Sequence, residues 1–279
     1  MKDRNLNETM ESFREELVRQ ERSPATREKY LREAERFLCW ADEREVSKEL
    51  IVAYKQRLFD RGYSTSTVNS TIAALNSLLR FLGQEECRVR GVRRQRNLYC
   101  VPDRELNIME YRRLVRTAYK IGERRLAVVM ETLCSAGMRV SELYCITVEA
   151  AKMGVAEVMM KGKTRKIFLV PEMQYKLLDY AEQEGIRSGP IFVTRTGRPL
   201  DRSNIWREMK ALCAIAHVKK DKVFPHNLRH LFAREFYEME KDVVKLADLL
   251  GHSSIDTTRI YVMTSGQEHR RSLSKMHLC

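Results

Sequence analysis

The sequence predicts a mainly helical protein of the α+β class, with a small β-hairpin region in the second of two domains. Three observations carry that reading. Apolar residues recur at three- and four-residue spacing over most of the chain, as in helices with one buried face. Two short apolar stretches on either side of Lys161 to Thr164 break that pattern and read as a hairpin. From 86 to 106 the periodicity lapses and arginines cluster, which marks a boundary. The domains are therefore expected at 1–85 and 107–279, joined by a basic linker over 86–106.

The chain has 279 residues, enough for two domains, and its 51 Lys and Arg against 38 Asp and Glu give a net charge of +13. Such an excess favours a polyanionic partner. The opening MKDRNLNETMESF holds no apolar run of a secretion signal, and no stretch is apolar for long enough to span a bilayer. A soluble, cytoplasmic protein without membrane contact is expected. The seven cysteines are scattered, odd in number and never spaced Cys-x-x-Cys, which speaks against a disulfide framework or a zinc ribbon.

Four amphipathic segments fill the first domain. Met10, Phe13 and Leu17 mark the first. Tyr30, Ala34, Phe37, Leu38 and Ala41 mark the second, with Ser23 as N-cap and Pro24 as first helical residue. Leu50, Ile51, Tyr54 and Leu58 mark the third, which Gly62 ends. Ser64 then caps a fourth with Val68, Ile72, Leu75, Leu79 and Leu82. Ser64, Thr65, Ser66, Thr67 and Asn69 gather at that helix start, where their polar groups suit either simple capping or contact with a phosphate. Arg88, Arg90, Arg93, Arg94 and Arg96 follow without an intervening acid, as a solvated charge run or as a strap for a polyanion.

The second domain begins with a helix on Ile108, Met109, Tyr111, Leu114, Val115 and Ala118, then one through Leu126 to Leu133. Strands are expected at Val155 to Met160 and Ile167 to Val170. Between them Gly162-Lys163-Thr164 imitates the end of a nucleotide-binding P-loop, but Glu157 stands where that motif needs glycine and the segment leads into a strand, so a nucleotidase is disfavoured. Further on come a helix from about Glu172 to Glu184, a strand over Ile191 to Thr194, a Thr196-Gly-Arg-Pro turn and a helix from Asn204 to about Ala216. A polar tail runs from Ser265 to Cys279.

Two stretches carry chemistry. In Ser135 to Glu142, Gly137 can end a helix and leave Arg139 in the first turn of the next, where backbone amides already favour anions. Arg139 and Glu142 are three apart, either as an ion pair worth ~0.3 kcal/mol or as a carboxylate that fixes a guanidinium for a phosphate. In Phe224 to Tyr261, His226 and Arg229 share a helix face. Asp242 to Leu250 carries apolar residues at Val243, Val244, Leu246, Ala247, Leu249 and Leu250, Gly251 follows as a C-cap, and His252 falls just past the helix end. Ser253, Ser254, Asp256 and Thr257 are N-cap types, so a new helix is expected to carry Tyr261 in its second turn. His226 and His230 have the spacing of a zinc helix, but no Glu lies between them and Arg229 would repel the ion, so no metal is expected.

Arginines, histidines and a phenol suit attack on a phosphodiester. Two guanidiniums can hold the non-bridging oxygens and offset the charge that grows in the transition state. A tyrosine hydroxyl ordinarily titrates near ~10, so it needs cations or a base beside it to act as a nucleophile.

Taken together and in this order, AGMRVSEL, HNLRH and LLGHSSIDTTRIY resemble the boxes of the tyrosine recombinase (phage integrase) family, in its compact, Xer-like or mobile-element form. The likeness is close over roughly 105–265 and extends to 1–95 only in size and helical pattern. It implies a site-specific DNA recombinase that integrates, excises, inverts or resolves DNA through a covalent 3′-phosphotyrosine. Tyr261 would be the nucleophile, with Arg139, Arg229, His226 and His252 around the phosphate and Glu142 in support. The family's hairpin lysine falls on Lys161 by the Lys-Gly dipeptide, although a turn one residue shorter than usual leaves Lys163 open. The first domain would be a SAM-like core-binding module, with Ser64, Thr65, Thr67 and the arginines at 88, 90, 93, 94 and 96 on DNA, so that the two domains form a clamp. Four protomers, monomers or dimers when free, would act on paired sites in double-stranded DNA, with no cofactor. An inactive DNA-binding relative or a type IB-like topoisomerase are the other readings; covalent adducts separate the first, and plasmids with and without cognate sites the second.

Overall fold

In the computed structural model of the chain the described residues are 2–42, 44–93, 105–160, 163–194, 196–252, 254–259, 261 and 274, without the side chains of 2–6, 160, 163 and 256. Lys161, Arg94, Arg96, Ser253, the side chain of Lys163 and the tail from 262 on, Ser274 apart, lie outside them. The chain divides into two units, Met1–Arg96 and Asn97–Cys279.

In the first unit the expected helices form as α1 (Lys2–Arg19), α2 (Pro24–Ala41), α3 (Lys48–Asp60) and α4 (Thr65–Phe81). Their starts are set by side chains that accept otherwise unpaired amides: Ser23 from Thr26, Ser47 from Leu50 and Ser64 from Thr67. The Ser64 and Thr67 hydroxyls also meet at 3.0 Å, so both are engaged in the cap. Phe13, Leu17, Phe37, Ile51, Ile72, Leu75 and Leu79 close the core, each contributing roughly 1.5–3 kcal/mol by burial. Residues 89–92 are laid along α4: Asn76 exchanges hydrogen bonds with both backbone groups of Val89 (2.8 and 3.1 Å), and Asn69 does the same for Val92 (2.9 and 2.7 Å). Periodicity lapses there because amide side chains hold the backbone, so the start of the basic stretch is part of this unit.

The second unit is organised on α6 (Arg124–Ser135), whose residues Leu126 to Met130 and Thr132 to Cys134 are all buried. Packed on it are α5 (Ile108–Lys120), α8 (Pro171–Gln183), α9 (Arg202–Ile215) and α10 (Pro225–Glu240). A short helix α7 (Val148–Met153) ends at Gly154 in the left-handed region (φ 75°), which turns the chain into the hairpin. Strands β1 (Val155–Met160) and β2 (Lys163–Phe168) pair antiparallel from Val155↔Phe168 to Met160↔Lys163. The second strand thus starts at Lys163, earlier than its apolar residues indicated, and only positions 161 and 162 separate the two. Ala156, Val158, Ile167 and Leu169 face the core, while Met159 and Phe168 face solvent.

Ile191 to Thr194 does not form the expected strand. Its one bridge among the described residues is Val193↔Pro199, and Thr147↔Pro190 stands just before it; a proline at each bridge has no amide with which to extend a ladder. The unit ends in α11 (Val243–Leu250) and α12 (Ile255–Arg259). Among the described residues no helix is long and apolar enough to cross a membrane.

Candidate active site

The loop after α6, strand β2, helix α10 and the ends of α11 and α12 meet in the second unit. After α6 the backbone reverses at Gly137, in the left-handed region (φ 57°), where a Cβ would stand 2.3 Å from the Phe232 ring. Arg139 follows in extended conformation as the N-cap of a short 3-10 helix, Val140–Cys145, one position before the helical turn expected for it. Glu142 folds back on that cap. It accepts the Arg139 backbone N–H at 2.8 Å and the Arg139 guanidinium at 2.9 Å, and is itself 1% exposed. Arg165, on β2, donates at 2.8 Å to Glu142 Oε2, the oxygen that also accepts the Arg139 backbone N–H, while the Arg139 guanidinium takes Oε1.

Arg229 lies in α10 and is 1% exposed. Its Nη1 donates to the carbonyl of Gly137 (2.8 Å), and its Nη2 to the carbonyl of Leu250 (2.7 Å) and to Nε2 of His252 (2.8 Å). Both carbonyls lie at helix ends, where oxygens lack intrahelical donors and carry partial negative charge, so a cation is stabilised there. These contacts engage three of the five guanidinium N–H groups, and the buried Nε–H has no hydrogen-bond partner among the described residues. Burial first, then the neighbouring Arg139 charge, pushes Arg229 down to about 10, while Tyr261 acts in the opposite direction.

Asp242 caps α11 and Gly251 ends it in the left-handed region (φ 65°), which delivers His252 to Arg229. An arginine can only donate, so Nε2 of His252 is the acceptor and Nδ1 carries the proton, which it gives to Thr258 Oγ1 at 2.8 Å. The ring is held neutral: burial, then Arg229, lowers it to about 4. His226 is also lowered, again by burial, then by Arg229 and Arg139.

Tyr261 departs from its expected helical position. Helix α12 ends at Arg259, and Tyr261 sits in a turn with its N–H on the carbonyl of Thr258 (2.9 Å). The Ser- and Thr-rich run starts this helix, but the helix is too short to carry the tyrosine. Its ring, 5% exposed, stacks on His252 (centroids 5.8 Å, 12°) and meets His230 edge-on (4.5 Å, 82°). His230 in turn meets His226 edge-on at 4.6 Å. His230, weighed from sequence only as a zinc partner, is thus the ring between His226 and Tyr261; burial lowers it to about 4.

A cavity of about 700 Å³ opens beside this cluster, lined by Arg139, Ser141, His226 and Arg229. Arg202, Ser203 and Trp206 from the start of α9 complete it, and none of these was singled out in the sequence. Trp206 is 48% exposed and so gives no periodic signal. The structure therefore brings together Arg139, Glu142, His226, Arg229, His252 and Tyr261. Ser64, Thr65, Thr67, Arg88, Arg90 and Arg93 belong to the other unit, where Arg88 pairs with Glu85 at 3.1 Å.

Residues 104–268 match the family model described as Phage integrase family, and residues 10–86 the one described as Phage integrase, N-terminal SAM-like domain. A protein named tyrosine recombinase XerD from Xanthomonas campestris pv. campestris is 34% identical over 164 residues, 53% of this chain and 50% of that protein, so the chain matches about half the length of that relative. The XerD of Staphylococcus aureus strain Mu50 is 29% identical over 248 residues, 83% of each chain. Among solved structures, lambda integrase (75–356), crystallised as a dimer bound to a COC′ core site, superposes with a TM-score of 0.72 at 18% identity, over 91% of this chain and 94% of that one.

Proposed function

This chain belongs to the phage integrase family, and we propose from that membership and from its site that it is a tyrosine-type site-specific DNA recombinase whose nucleophile is Tyr261. The observation that carries the assignment is the meeting of Arg229 from α10, His252 from the end of α11 and Tyr261 from the turn after α12, next to a cavity that Arg139 and His226 line.

The scissile phosphodiester binds in that cavity. Arg139, fixed by Glu142, and the remaining N–H groups of Arg229 hold the non-bridging oxygens, which gain negative charge in the transition state. Tyr261 Oη attacks phosphorus and the bond to the 5′-oxygen breaks. The phenolic proton passes to His226, a neutral imidazole that lines the cavity and is able to accept it once the tyrosine ring has moved there. Lys161, or Lys163, protonates the leaving oxygen. His252 orients Arg229 as folded here; once a phosphate oxygen takes over that guanidinium N–H, the ring donates to the phosphate in its other tautomer, with the proton on Nε2 and the Thr258 hydroxyl donating to Nδ1. Because Tyr261 is buried against two imidazoles, attack requires its ring to leave them.

The products are a 3′-phosphotyrosine and a free 5′-hydroxyl. The ester bond is conserved, so a 5′-hydroxyl from a second duplex can displace the tyrosine by the reverse steps, without ATP. Strand exchange between paired sites then needs four protomers. The basic stretch and the start of α4 supply further DNA contacts. On a nicked suicide duplex carrying the cognate site, wild type is expected to form a covalent adduct and Tyr261→Phe to bind equally but form none; adducts in the variant would reject the assignment.

A further inference from the structure

We propose that Arg165 is a positioning residue of this centre: it balances the charge of Glu142, so that Arg139 is left cationic for the phosphate, and it braces Arg229 through the carbonyl of Leu250. The inference rests on the recombinase reading above.

Arg165 lies opposite Val158 in the hairpin and alternates with Ile167 and Leu169, on the side of β2 that faces the core. A guanidinium there has a side chain only 13% exposed, which is unfavourable unless its donors are satisfied by charged or polar partners. Both terminal nitrogens have such a partner: Nη2 donates to Glu142 Oε2 at 2.8 Å and Nη1 to the carbonyl of Leu250, while the buried Nε–H has none among the described residues. The side chain also lies over Gly251, where a Cβ would stand 2.3 Å from Arg165 Cδ. Glycine at 251 therefore serves both the left-handed turn and the passage of Arg165.

The two contacts have distinct consequences. Glu142 is a single negative charge between two guanidiniums. With Arg165 present, the trio carries a net charge of +1; without it, Glu142 and Arg139 cancel, and an incoming phosphodiester meets a neutral pair. Leu250 O is shared by Arg165 and Arg229, so the strand, the end of α11 and the second phosphate-binding arginine are tied at one atom. Arg165 does not line the cavity, so it acts through its neighbours.

A merely structural ion pair and a charge-balancing one differ in a double variant. Arg165→Met is expected to slow adduct formation on the suicide duplex roughly 10–100-fold, the usual scale for removing a group that supports a functional residue. Adding Glu142→Gln to Arg165→Met removes the unbalanced carboxylate and is expected to restore the rate about tenfold relative to Arg165→Met alone. Should the methionine variant fail to fold, Arg165→Gln with and without Glu142→Gln gives the same comparison while keeping a donor for Leu250. A double variant no faster than its Arg165 single variant would overturn the charge-balancing role, whereas wild type without any adduct would overturn the recombinase reading and this inference with it.

Discussion

Two buried glutamates, one in each unit, have nearly the same sequence setting and opposite meanings. Glu33 lies three residues before Arg36, and Glu142 three after Arg139. Around Glu33 the partners are long and loose: Arg32 and Arg36 stand at 3.4 Å with side chains 55% and 57% exposed, and the inner oxygen accepts only Thr71 at 3.2 Å. Around Glu142 every contact is 2.8 or 2.9 Å, and the pairing leads on through Arg165 and Leu250 to Arg229, His252 and Tyr261. A spacing of three residues therefore identifies an ion pair and nothing more. What makes the second one part of a site is convergence: a loop, a strand and two helix ends bring donors to one place beside a cavity, which no local pattern encodes.

Substitutions at the two ends of this contrast should differ by orders of magnitude. Arg229→Lys removes the planar fork that serves Gly137, Leu250 and His252 together, and adduct formation is expected to fall roughly 10²–10³-fold; a loss below fivefold would mean that the convergence on Arg229 is not what the reaction uses. Gly137→Ala tests the backbone that presents Arg139. It combines a left-handed φ with a collision against Phe232 and should destabilise by about 2–3 kcal/mol in urea unfolding. Gly62→Ala, also at positive φ but with open space around it, should cost only about 1 kcal/mol.

The histidines give a pH test confined to the second unit. His230 and His252 are each held near 4 instead of the ordinary 6.5, so below 6.5 the unfolded chain binds protons that the folded chain refuses. Their contribution is full above 6.5 and is lost as the pH falls towards 4. Stability should drop by at most about 3 kcal/mol between pH 6.5 and 5, and by less to the extent that solvent reaches the two rings, and His230→Phe should roughly halve that slope. The smallest effect is expected at the first glutamate. Arg36→Ala removes one exposed partner of Glu33 and leaves Arg32 and Thr71 in place, should change stability by less than ~1 kcal/mol, and should leave adduct formation untouched. An effect as large as that of Arg229→Lys would erase the contrast between the two glutamates.

Much of this was legible in the chain because it is local. Ser23, Ser64, Asp242 and Gly251 announce helix ends through cap chemistry that acts within a few residues, and the HNLRH spacing puts His226 and Arg229 on one helix. Tertiary facts were not legible. Tyr261 was assigned to a helix that ends before it, since cap residues specify where a helix starts and not how far it runs. Ile191 to Thr194 has strand-forming side chains but prolines where a ladder would need amides. Arg165 had a signal that went unused: a cation in register with Ile167 and Leu169 is a charge on the core side of a strand, and such a charge needs a buried partner. Trp206 and Arg202 had none, because nothing at the start of α9 shows which cavity it borders.

The most direct test of the account is to trap wild type on a nicked suicide duplex, digest the complex and identify by mass spectrometry the residue bonded to DNA. The prediction is a single modified peptide, with Tyr261 joined to a 3′-phosphate and a free 5′-hydroxyl on the released strand. A bond to any other side chain, or a phosphate left on the 5′ end, would contradict it.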